Sequence, residues 1–343
     1  MTHRAHLVAA LCLAAVTSAE AAQYTLVSLG EYWNGVAINS AGQIVGNNTI
    51  YNRGLVYQAG EIRGLATLYG RPVTSGINGT GVIAGTDWSP NNVPRAARWI
   101  TPDEPHDLGV LPGGTTSYAT GINDAGHVVG ASNYEPEGGR TYAVIWKKDK
   151  PKSLGSLPGS NNSGASAINA KGQVAGWATE AVTQNKHAVR WTLGTILDLG
   201  VLPGATHEYS YATAINRRGD VVGGATSSNG QLHPFLYRAA QTVPITDLGT
   251  LYGGENENCE ATGINYAREI VGSCNDWVAL KSGAFIYRRG KLQPLDKFLD
   301  SSGAGWHVYA AHSINDQGQI LGAAYDPDGN WHPVLLTPTS VSR

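Results

Sequence analysis

The stretch LGVLPGGTTSYATGINDAGHVVG, residues 108–130, decides the fold because related versions of it recur along the chain. Its Ile-Asn dipeptide occurs seven times in this frame, at spacings of 39, 45, 46, 47, 49 and 50 residues. The seven dipeptides begin at Ile38, Ile77, Ile122, Ile168, Ile215, Ile264 and Ile314. A period of about 40 to 50 residues is typical of the blades of a β-propeller.

Each repeat predicts four short strands. Small residues alternate before Ile-Asn, as expected for an innermost strand that neighbouring blades crowd. The Asn then opens a tight turn, usually Asn-x-x-Gly, in which the glycine accepts a positive φ and the Asn side chain bonds the turn backbone. A second strand starts with phrases such as HVVG, a third ends in an aromatic residue such as Trp146, and a fourth carries DLG or SLG.

The two ends of the chain complement each other. The seventh repeat stops after its third strand, HPVLLTP at 332–338, and the missing SLG phrase lies at the N-terminus as YTLVSLG, residues 24–30. We therefore predict an all-β, seven-bladed β-propeller with four antiparallel strands per blade. Its ring is closed by the N-terminal strand, which joins the last blade.

The repeated phrase also resembles the HAF-repeat family of bacterial extracellular proteins. The resemblance rests on the consensus LGxLPGGxxSxAxxINxxGxVVG and on HAV, HPF and HPV, which start at His187, His233 and His332. It covers nearly all of the chain after the leader. It implies an exported repeat protein and supplies no catalytic residues. Because the three histidines recur at one repeat position, we expect them to be structural.

The composition and the N-terminal sequence limit the classes of function that this chain can have. The 343 residues include 44 glycines and 16 prolines, with 15% charged residues and a net charge of −2. Lys and Arg are scattered, so we expect no nucleic-acid partner. Residues 1–21 predict a signal peptide, with Arg4, an apolar run and the small-x-small site Ala19-Glu20-Ala21. The apolar run is too short to span a bilayer, so we expect no membrane insertion.

We expect residues 22–343 to form one propeller domain, secreted or periplasmic and monomeric. Removal of the leader leaves Cys259 and Cys274 in an oxidising compartment, where disulfides form. Cys259 lies five residues before Ile264 and Cys274 five residues after Glu269, so a hairpin sets them opposite each other. The sequence predicts a disulfide across this hairpin, which has Arg268 in place of the turn glycine.

Six tryptophans lie outside the repeated third-strand position. They are Trp33, Trp88, Trp177, Trp277, Trp306 and Trp331. All fall in or beside the connections that emerge on one face of the ring, where lengths vary. Aromatic rings with a polar handle bind sugars and anchor proteins, so these residues predict a face that recognises carbohydrate or a protein partner. The alternative is that they pack the loops together and cover the channel.

Histidines and tyrosines leave an enzyme open as a second hypothesis. His207 with Tyr209, and His307 with Tyr309, are His-x-Tyr pairs, which place both side chains on one face of an extended strand. His312 stands near the expected channel. A His or Tyr base in this position suits a polysaccharide lyase, with a cation to neutralise the uronate. A structural protein of the cell surface or matrix is a third possibility.

One loop has the spacing of calcium ligands. The sequence DPDGN offers Asp326, Asp328 and Asn330, whose oxygens suit Ca²⁺. It lacks the remaining ligands of an EF-hand, and Asp-Gly-Asn is equally good turn chemistry. Calcium is thus a candidate ion, and no other cofactor is predicted.

Overall fold

The computed structural model describes residues 23–134, 140–205, 207–240 and 245–339. The predicted signal peptide at 1–21 lies outside these ranges. In the described part of the chain, no helix is long and apolar enough to cross a membrane. The strands form seven separate four-stranded sheets, each with neighbouring strands antiparallel, so the predicted seven-bladed β-propeller is confirmed.

The first strand, β1 (Tyr24–Ser28), belongs to the last blade. Blade 1 contains β2 (Trp33–Ile38), β3 (Ile44–Asn48), β4 (Gly54–Gln58) and β5 (Glu61–Gly64). Blade 2 contains β6 (Arg71–Ile77), β7 (Ile83–Trp88), β8 (Pro94–Trp99) and β9 (Pro105–Asp107). Blade 3 contains β10 (Ser117–Ile122), β11 (Val128–Asn133), β12 (Thr141–Lys147) and β13 (Lys150–Ser153).

Blade 4 contains β14 (Ser163–Ile168), β15 (Val174–Thr179), β16 (Lys186–Thr192) and β17 (Thr195–Gly200). Blade 5 contains β18 (Ser210–Ile215), β19 (Val221–Thr226), β20 (Leu232–Tyr237) and β21 (Thr246–Asp247). Blade 6 contains β22 (Glu257–Ile264), β23 (Ile270–Asp276), β24 (Lys281–Arg288) and β25 (Lys291–Pro294). Two short 3₁₀ helices, Leu295–Phe298 and Ser301–Gly303, lead to blade 7, which contains β26 (His307–Ile314), β27 (Ile320–Tyr325) and β28 (Trp331–Pro338).

The ring closes as the sequences of the two chain ends predict. Strand β1 pairs antiparallel with β28, with Tyr24 opposite Pro338 and Ser28 opposite Val334. The N–H of Leu29 then donates to the Pro333 carbonyl at 2.9 Å. The N-terminal strand thereby becomes the outermost strand of blade 7, and no blade is left with three strands.

The core consists of side chains packed between blades. The third-strand tryptophans Trp99, Trp146 and Trp191 are fully buried and belong to this core. The small residues of the innermost strands do not simply alternate, because each of these strands carries an irregularity in register. The extra residue of each strand is Val36, Ser75, Thr120, Ser166, Thr213, Thr262 or His312.

Three of these bulge residues connect neighbouring blades. The hydroxyl groups of Thr120, Thr213 and Thr262 each donate to a carbonyl of the next blade, at 2.9, 2.6 and 2.7 Å. A bulge re-aims a side chain that regular pairing would hold elsewhere. Each of the seven bulges therefore takes one residue of the innermost strand out of the regular alternation of side chains. In the blades of Thr120, Thr213 and Thr262, the hydroxyl of that residue bonds to the neighbouring blade.

The Asn of each Ile-Asn dipeptide also connects blades. As predicted, its Oδ1 accepts from the turn backbone, for example from the N–H groups of Lys171 and Gln173 in blade 4. In six blades its Nδ2 also donates to the carbonyl of the Asn in the next blade, at 2.9 to 3.2 Å. In the sixth blade Nδ2 of Asn265 donates instead to Glu269. The repeated dipeptide therefore holds the ring together as well as its own turn.

Blade 6 departs from the repeat in two ways. Arg268 takes the place of the turn glycine and keeps its positive φ, at 65°. Its Nε donates to the carboxylate of Asp220 in blade 5 at 2.7 Å. The predicted disulfide is present, with Cys259 directly opposite Cys274 and their Cα atoms 4.0 Å apart. An ion pair and a covalent bond therefore reinforce the one hairpin that lacks the glycine.

The repeated histidines bind aspartates of the outermost strands. His187 Nδ1 lies 2.9 Å from Asp198, and His233 Nδ1 lies 2.9 Å from Asp247, both in DLG phrases. In blade 7 the outermost strand carries SLG, and His332 Nδ1 lies 3.2 Å from the hydroxyl of Ser28. The histidine of the HA or HP phrase thus contacts the Asp or Ser of the DLG or SLG phrase across two paired strands. This contact agrees with the structural role expected for the three histidines.

Candidate binding site at the mouth of the channel

The two ends of the propeller channel differ in chemistry. The end that carries the Asn-x-x-Gly turns, called here the Asn face, holds a pit of about 200 Å³. It is lined mainly by the Ile-Asn dipeptides, whose Asn amides are engaged in the ring of hydrogen bonds. The opposite end carries the connections between second and third strands and between blades, and is called here the variable face.

A cavity of about 340 Å³ lies at the channel, between blades 6, 7 and 1. Its lining residues are Asn34, Gly35, Val36, Thr262, Tyr309, His312 and Trp331. They come from the innermost strands β2, β22 and β26 and from the start of β28, so distant segments of sequence meet there. The lining combines aromatic rings with neutral hydrogen-bonding groups, and the volume is at the lower end of the range for small-molecule sites.

Tyr309 is held in place by two aromatic neighbours. The indole Nε1 of Trp331 donates to the Tyr309 hydroxyl at 2.7 Å. The ring of Tyr325 lies 5.1 Å from the Tyr309 ring, tilted by 34°. A register irregularity between Val308 and Ala310 makes Tyr309 an unpaired residue of β26. These contacts fix the aromatic wall of the cavity before any ligand binds.

His312 supplies the polar wall. It is the bulge residue of the innermost strand of blade 7 and lines the cavity. Burial lowers the pKa of His312 below its usual value, so the imidazole is neutral near pH 7. A neutral imidazole offers one donor and one acceptor to a ligand.

The side chains of His307 and Tyr309, predicted to act together, have different partners in the structure. His307 Nδ1 lies 2.8 Å from Asp296, and this hydrogen bond raises the pKa of His307, although burial acts against it. The Tyr309 hydroxyl accepts a hydrogen bond from Trp331. The register irregularity at Val308–Ala310 breaks the regular alternation of side chains that would have placed His307 and Tyr309 on one face of the strand. Tyr309 instead shares the cavity with His312.

His207 and Tyr209 lie in different environments. His207 is exposed, whereas Tyr209 packs edge-on against Tyr211 with ring centroids 5.6 Å apart. Burial and the charge of Glu260 raise the pKa of the Tyr209 hydroxyl, which leaves it protonated at neutral pH. Tyr209 therefore presents a ring and a neutral hydroxyl rather than a base.

The six tryptophans have different environments. Trp331 lines the cavity, and Trp277 is 76% exposed at the tip of the loop between β23 and β24. Trp88 lies against Arg71 and Tyr118, and Trp306 lies beside His332. Trp177 lies within β15 rather than in a connection, and the Lys186 ammonium sits 4.1 Å from its ring centroid.

The prediction that Trp33 binds a ligand is wrong. Trp33 is 1% exposed, and its Nε1 donates to the Leu29 carbonyl at 3.0 Å. It packs on Tyr57 and Gly46 at the interface that the closing strand completes. Its position outside the repeated third-strand site reflects this local packing and not recognition.

The predicted calcium ligands form a turn. Oδ1 of Asp326 accepts from the N–H groups of Asp328 and Asn330, and its Oδ2 accepts from the Asn330 amide and lies 3.1 Å from His332 Nε2. Gly329 has the positive φ that such a turn requires. The oxygens of Asp326 are thus used by the turn itself, and calcium binding stays a prediction.

Among the described residues, one cluster has metal-ligand types at short range: Glu257, Cys259 and Cys274. The two cysteines form the disulfide, so neither offers a thiolate. Glu257 is fully buried and accepts from the N–H groups of Leu251 and Tyr252. This cluster is therefore structural.

Sequence reasoning missed Glu260 and Tyr211. Both lie on innermost strands at the same repeat position of adjacent blades, close enough for the hydroxyl and the carboxylate to influence each other's pKa. Burial raises the pKa of Glu260, and the Tyr211 hydroxyl acts in the opposite direction. The signal available in the sequence was an acidic residue at a position that is uncharged in the other six repeats.

Comparison with known proteins supports the fold. The structure is similar to a streptogramin B lyase, with a TM-score of 0.54 at 14% identity, covering 92% of this chain and 98% of that one. YCF48 from Cyanidioschyzon merolae gives 0.53 at 11% identity, covering 92% and 99%. A Mycobacterium tuberculosis puromycin-hydrolyzing peptidase gives 0.54 at 11% identity, covering 94% and 55%. No family model and no curated protein matches the sequence. At these identities the likeness shows the propeller fold alone.

Proposed function

We propose that this protein is an exported carbohydrate-binding module whose ligand enters the variable face at the cavity between blades 6, 7 and 1. The observation that carries the proposal is the cavity lining itself. Trp331 and Tyr309 offer rings against which a sugar ring can stack. His312 and Asn34 offer neutral groups for hydroxyl hydrogen bonds, and the Thr262 hydroxyl, whose hydrogen bonds to Ala311, can still accept one.

The arrangement favours binding over lyase chemistry. Abstracting a proton beside a uronate needs a base and a cation that neutralises the carboxylate. Among the described residues that line the cavity there is no Lys or Arg. Burial lowers the pKa of His312, so it supplies no positive charge at neutral pH.

Export is part of the proposal. The predicted leader at 1–21 and the HAF-like repeats both suggest passage out of the cytoplasm. The Cys259–Cys274 disulfide is compatible with a periplasmic or secreted location, because disulfides persist in oxidising compartments.

A glycan array with neutral, amino and acidic oligosaccharides tests the proposal, combined with ultraviolet detection of unsaturated products. We expect binding without product formation. Replacing Trp331 by Ala is expected to weaken affinity about tenfold, as for a buried aromatic anchor. Tyr309→Phe, which removes only the hydroxyl, is expected to have a smaller effect.

Trp277→Ala is the matched control, because it removes an equally large ring from an exposed loop of the same face. Its affinity should stay within about twofold of the unmodified chain. If Trp277→Ala abolishes binding and Trp331→Ala does not, the ligand binds elsewhere on the face. Release of unsaturated sugars would overturn the binding-module proposal in favour of a lyase.

A further inference from the structure

A second cavity on the Asn face lies at the turns of blades 4, 5 and 6. Its volume is about 390 Å³, which falls within the range of small-molecule sites. Its charged and aromatic lining residues are Lys171, Arg217, Arg218, Asp220, Tyr266 and Arg268. The lining therefore has four cationic side chains and one carboxylate, although the whole chain has a net charge of −2.

The cations at this cavity are particular to its blades and do not belong to the repeat. The two residues after the turn Asn include Lys171 in blade 4 and are Arg217 and Arg218 in blade 5. In blades 1, 2, 3 and 7 the same two positions hold Ser-Ala, Gly-Thr, Asp-Ala and Asp-Gln. The turns of those blades keep the same backbone hydrogen bond, from the glycine N–H to the Asn carbonyl. The fold therefore does not need positive charge at these positions.

The corresponding cavity between blades 1 and 2 provides a comparison within the molecule. It has Gly81 at the turn position that Arg268 holds in blade 6. Its lining includes one cation, Arg63, and one carboxylate, Glu61. The Arg63 guanidinium also pairs with Asp103 at 3.0 Å. Positive charge is therefore balanced there, and the excess of cations belongs to blades 4 to 6.

Two of the four cations are neutralised by the fold. The Arg268 Nε lies 2.7 Å from the buried carboxylate of Asp220 in blade 5. Arg217 lies 2.8 Å from Asp316 of blade 7. Both ion pairs join different blades, so these two arginines have a structural task.

Arg218 is held in place by contacts that leave its charge unbalanced. Its Nε donates to the Tyr266 carbonyl of blade 6 at 2.9 Å. Its guanidinium carbon lies 4.1 Å from the centroid of the Tyr266 ring, in a cation–π contact. Within the described ranges, neither Arg218 nor Lys171 forms an ion pair with a carboxylate. The cavity therefore contains an oriented guanidinium and an ammonium group, both without a counter-charge.

These groups suit a phosphomonoester. Such a group carries about two negative charges near pH 7, which matches two cations without a counter-charge. A guanidinium binds two phosphate oxygens through parallel hydrogen bonds, and a lysine ammonium binds a phosphate as a point charge. A carboxylate or a sulfate ester carries a single negative charge, so it would leave one of the two cations unbalanced.

We propose that Arg218 and Lys171 bind a phosphomonoester group in this cavity, with Tyr266 holding Arg218 in position. The inference is independent of the carbohydrate site, which lies on the opposite face. The site uses residues between the Asn and the glycine of the turns, and the Asn side chains keep their own hydrogen bonds. The ester belongs either to a soluble molecule or to a lipid headgroup, and the two sources are tested separately.

Isothermal titration calorimetry with glucose 6-phosphate, glucose 6-sulfate and glucose tests the proposal, because the three probes share one sugar and differ in charge. Glucose 6-phosphate is expected to bind at least about tenfold more tightly than the other two, and its affinity should fall as salt is added. Equal affinity for the sulfate or for glucose would overturn the assignment.

Arg218→Gln is the decisive variant, because it removes the charge of an exposed side chain. It should lower the affinity for glucose 6-phosphate at least about tenfold. Lys171→Gln should lower it several-fold and serves if Arg218→Gln is unstable. Arg63→Gln is the matched control from the corresponding cavity, and its affinity should stay within about twofold. Equal losses in Arg218→Gln and Arg63→Gln would indicate a general effect of charge and overturn the proposal.

Two variants of Tyr266 test its positioning role. Tyr266→Phe keeps the ring under the guanidinium, so the affinity should stay within about twofold of the unmodified chain. Tyr266→Leu removes the ring and should lower the affinity several-fold. Equal affinities in the two variants would show that the ring does not position Arg218.

Flotation with phosphatidylcholine vesicles, with and without phosphatidic acid, identifies the source of the ester. Binding that requires phosphatidic acid and is lost in Arg218→Gln places the ester on a lipid, whereas binding of glucose 6-phosphate alone places it on a soluble molecule. Either result supports the site, and if neither probe binds in an Arg218-dependent manner the proposal fails. Trp331→Ala should leave these affinities unchanged, so the phosphate site and the carbohydrate site fail separately. A loss of glucose 6-phosphate affinity in Trp331→Ala would place the probe in the other cavity and overturn the proposal.

Discussion

The two faces of this propeller use their polar side chains for different purposes. On the Asn face, the Asn side chain of every repeat bonds to its own turn, and in six blades it also donates to the next blade. On the variable face, His312 and Asn34 line the cavity between blades 6, 7 and 1. Polar groups that are satisfied by the fold stabilise it, whereas groups left for solvent or a ligand are available for recognition.

The two faces also differ in how much their residues vary among the seven repeats. The Ile-Asn dipeptides of the Asn face are the same in all seven repeats, and the residues of the variable face differ from blade to blade. The carbohydrate recognition proposed above therefore depends on what makes blades 6, 7 and 1 unlike the others. Variants that separate stability from binding test the contrast directly.

The largest expected effect comes from the disulfide, which lies beside Glu260. Replacing Cys259 and Cys274 together by Ser, the residue pair that blade 3 has at Ser117 and Ser132, is expected to cost about 3 kcal/mol of unfolding free energy. Urea denaturation measures the change. Oligosaccharide affinity of the folded variant should be retained. An unchanged unfolding free energy would show that the bond does not reinforce this blade.

Removing one Asn of the ring should cost somewhat less. Asn169→Ala deletes the acceptor of the Lys171 and Gln173 N–H groups, two part-buried bonds, and the donor to the Asn216 carbonyl, a buried bond. We expect a loss of about 2 kcal/mol, since unsatisfied buried groups remain. Lys171→Ala, an exposed change in the same turn, is the control and should be nearly neutral. A loss of oligosaccharide affinity in Asn169→Ala without loss of stability would contradict the division between the faces.

Arg268 offers a finer test on the Asn face. Arg268→Ala removes the ion pair with the buried Asp220 and leaves a residue with a Cβ at positive φ. Arg268→Gly removes the same ion pair but relieves the backbone strain. We expect both variants to be destabilised in thermal unfolding, with Gly more stable than Ala by about 1 kcal/mol. If both variants match the unmodified chain, the ion pair contributes nothing to the hairpin.

The smallest effect concerns His307 on the variable face. The hydrogen bond to Asp296 raises the pKa of His307 in the folded protein. The stabilisation is therefore fully present below the unfolded pKa of about 6.5 and is lost as the pH rises through the folded value. Unfolding of the unmodified chain and of His307→Gln should differ more at pH 5.5 than at pH 8.5. An NMR titration of the His307 ring should give a midpoint above 6.5.

The sequence predicted the fold because its decisive interactions are local and repeated. The Asn-x-x-Gly turns, the strand order and the aromatic residue of the third strand each depend on a few neighbouring residues. Ring closure by 24–30 followed from counting strand phrases. The Cys259–Cys274 bond followed from positions equidistant from one turn, which a hairpin sets opposite each other.

The candidate site could not be predicted in the same way. The His307–Tyr309 pair relied on regular alternation, which the irregularity in β26 breaks. Trp33 looked free because its burial depends on the closing strand and the adjoining blade. Asn34 and Tyr309 line one cavity although nearly the whole chain separates them.

By itself, therefore, the sequence determined the number of blades, the order of their strands and the bond that reinforces the sixth. These are properties of hairpins, and a hairpin is specified by residues close together in the chain. Only the tertiary structure decided that the Asn residues form a ring, that Tyr309 joins His312, and that Glu260 meets Tyr211. Those contacts join different blades or depend on bulges, so their geometry is set by closure of the ring and by the bulges of the innermost strands.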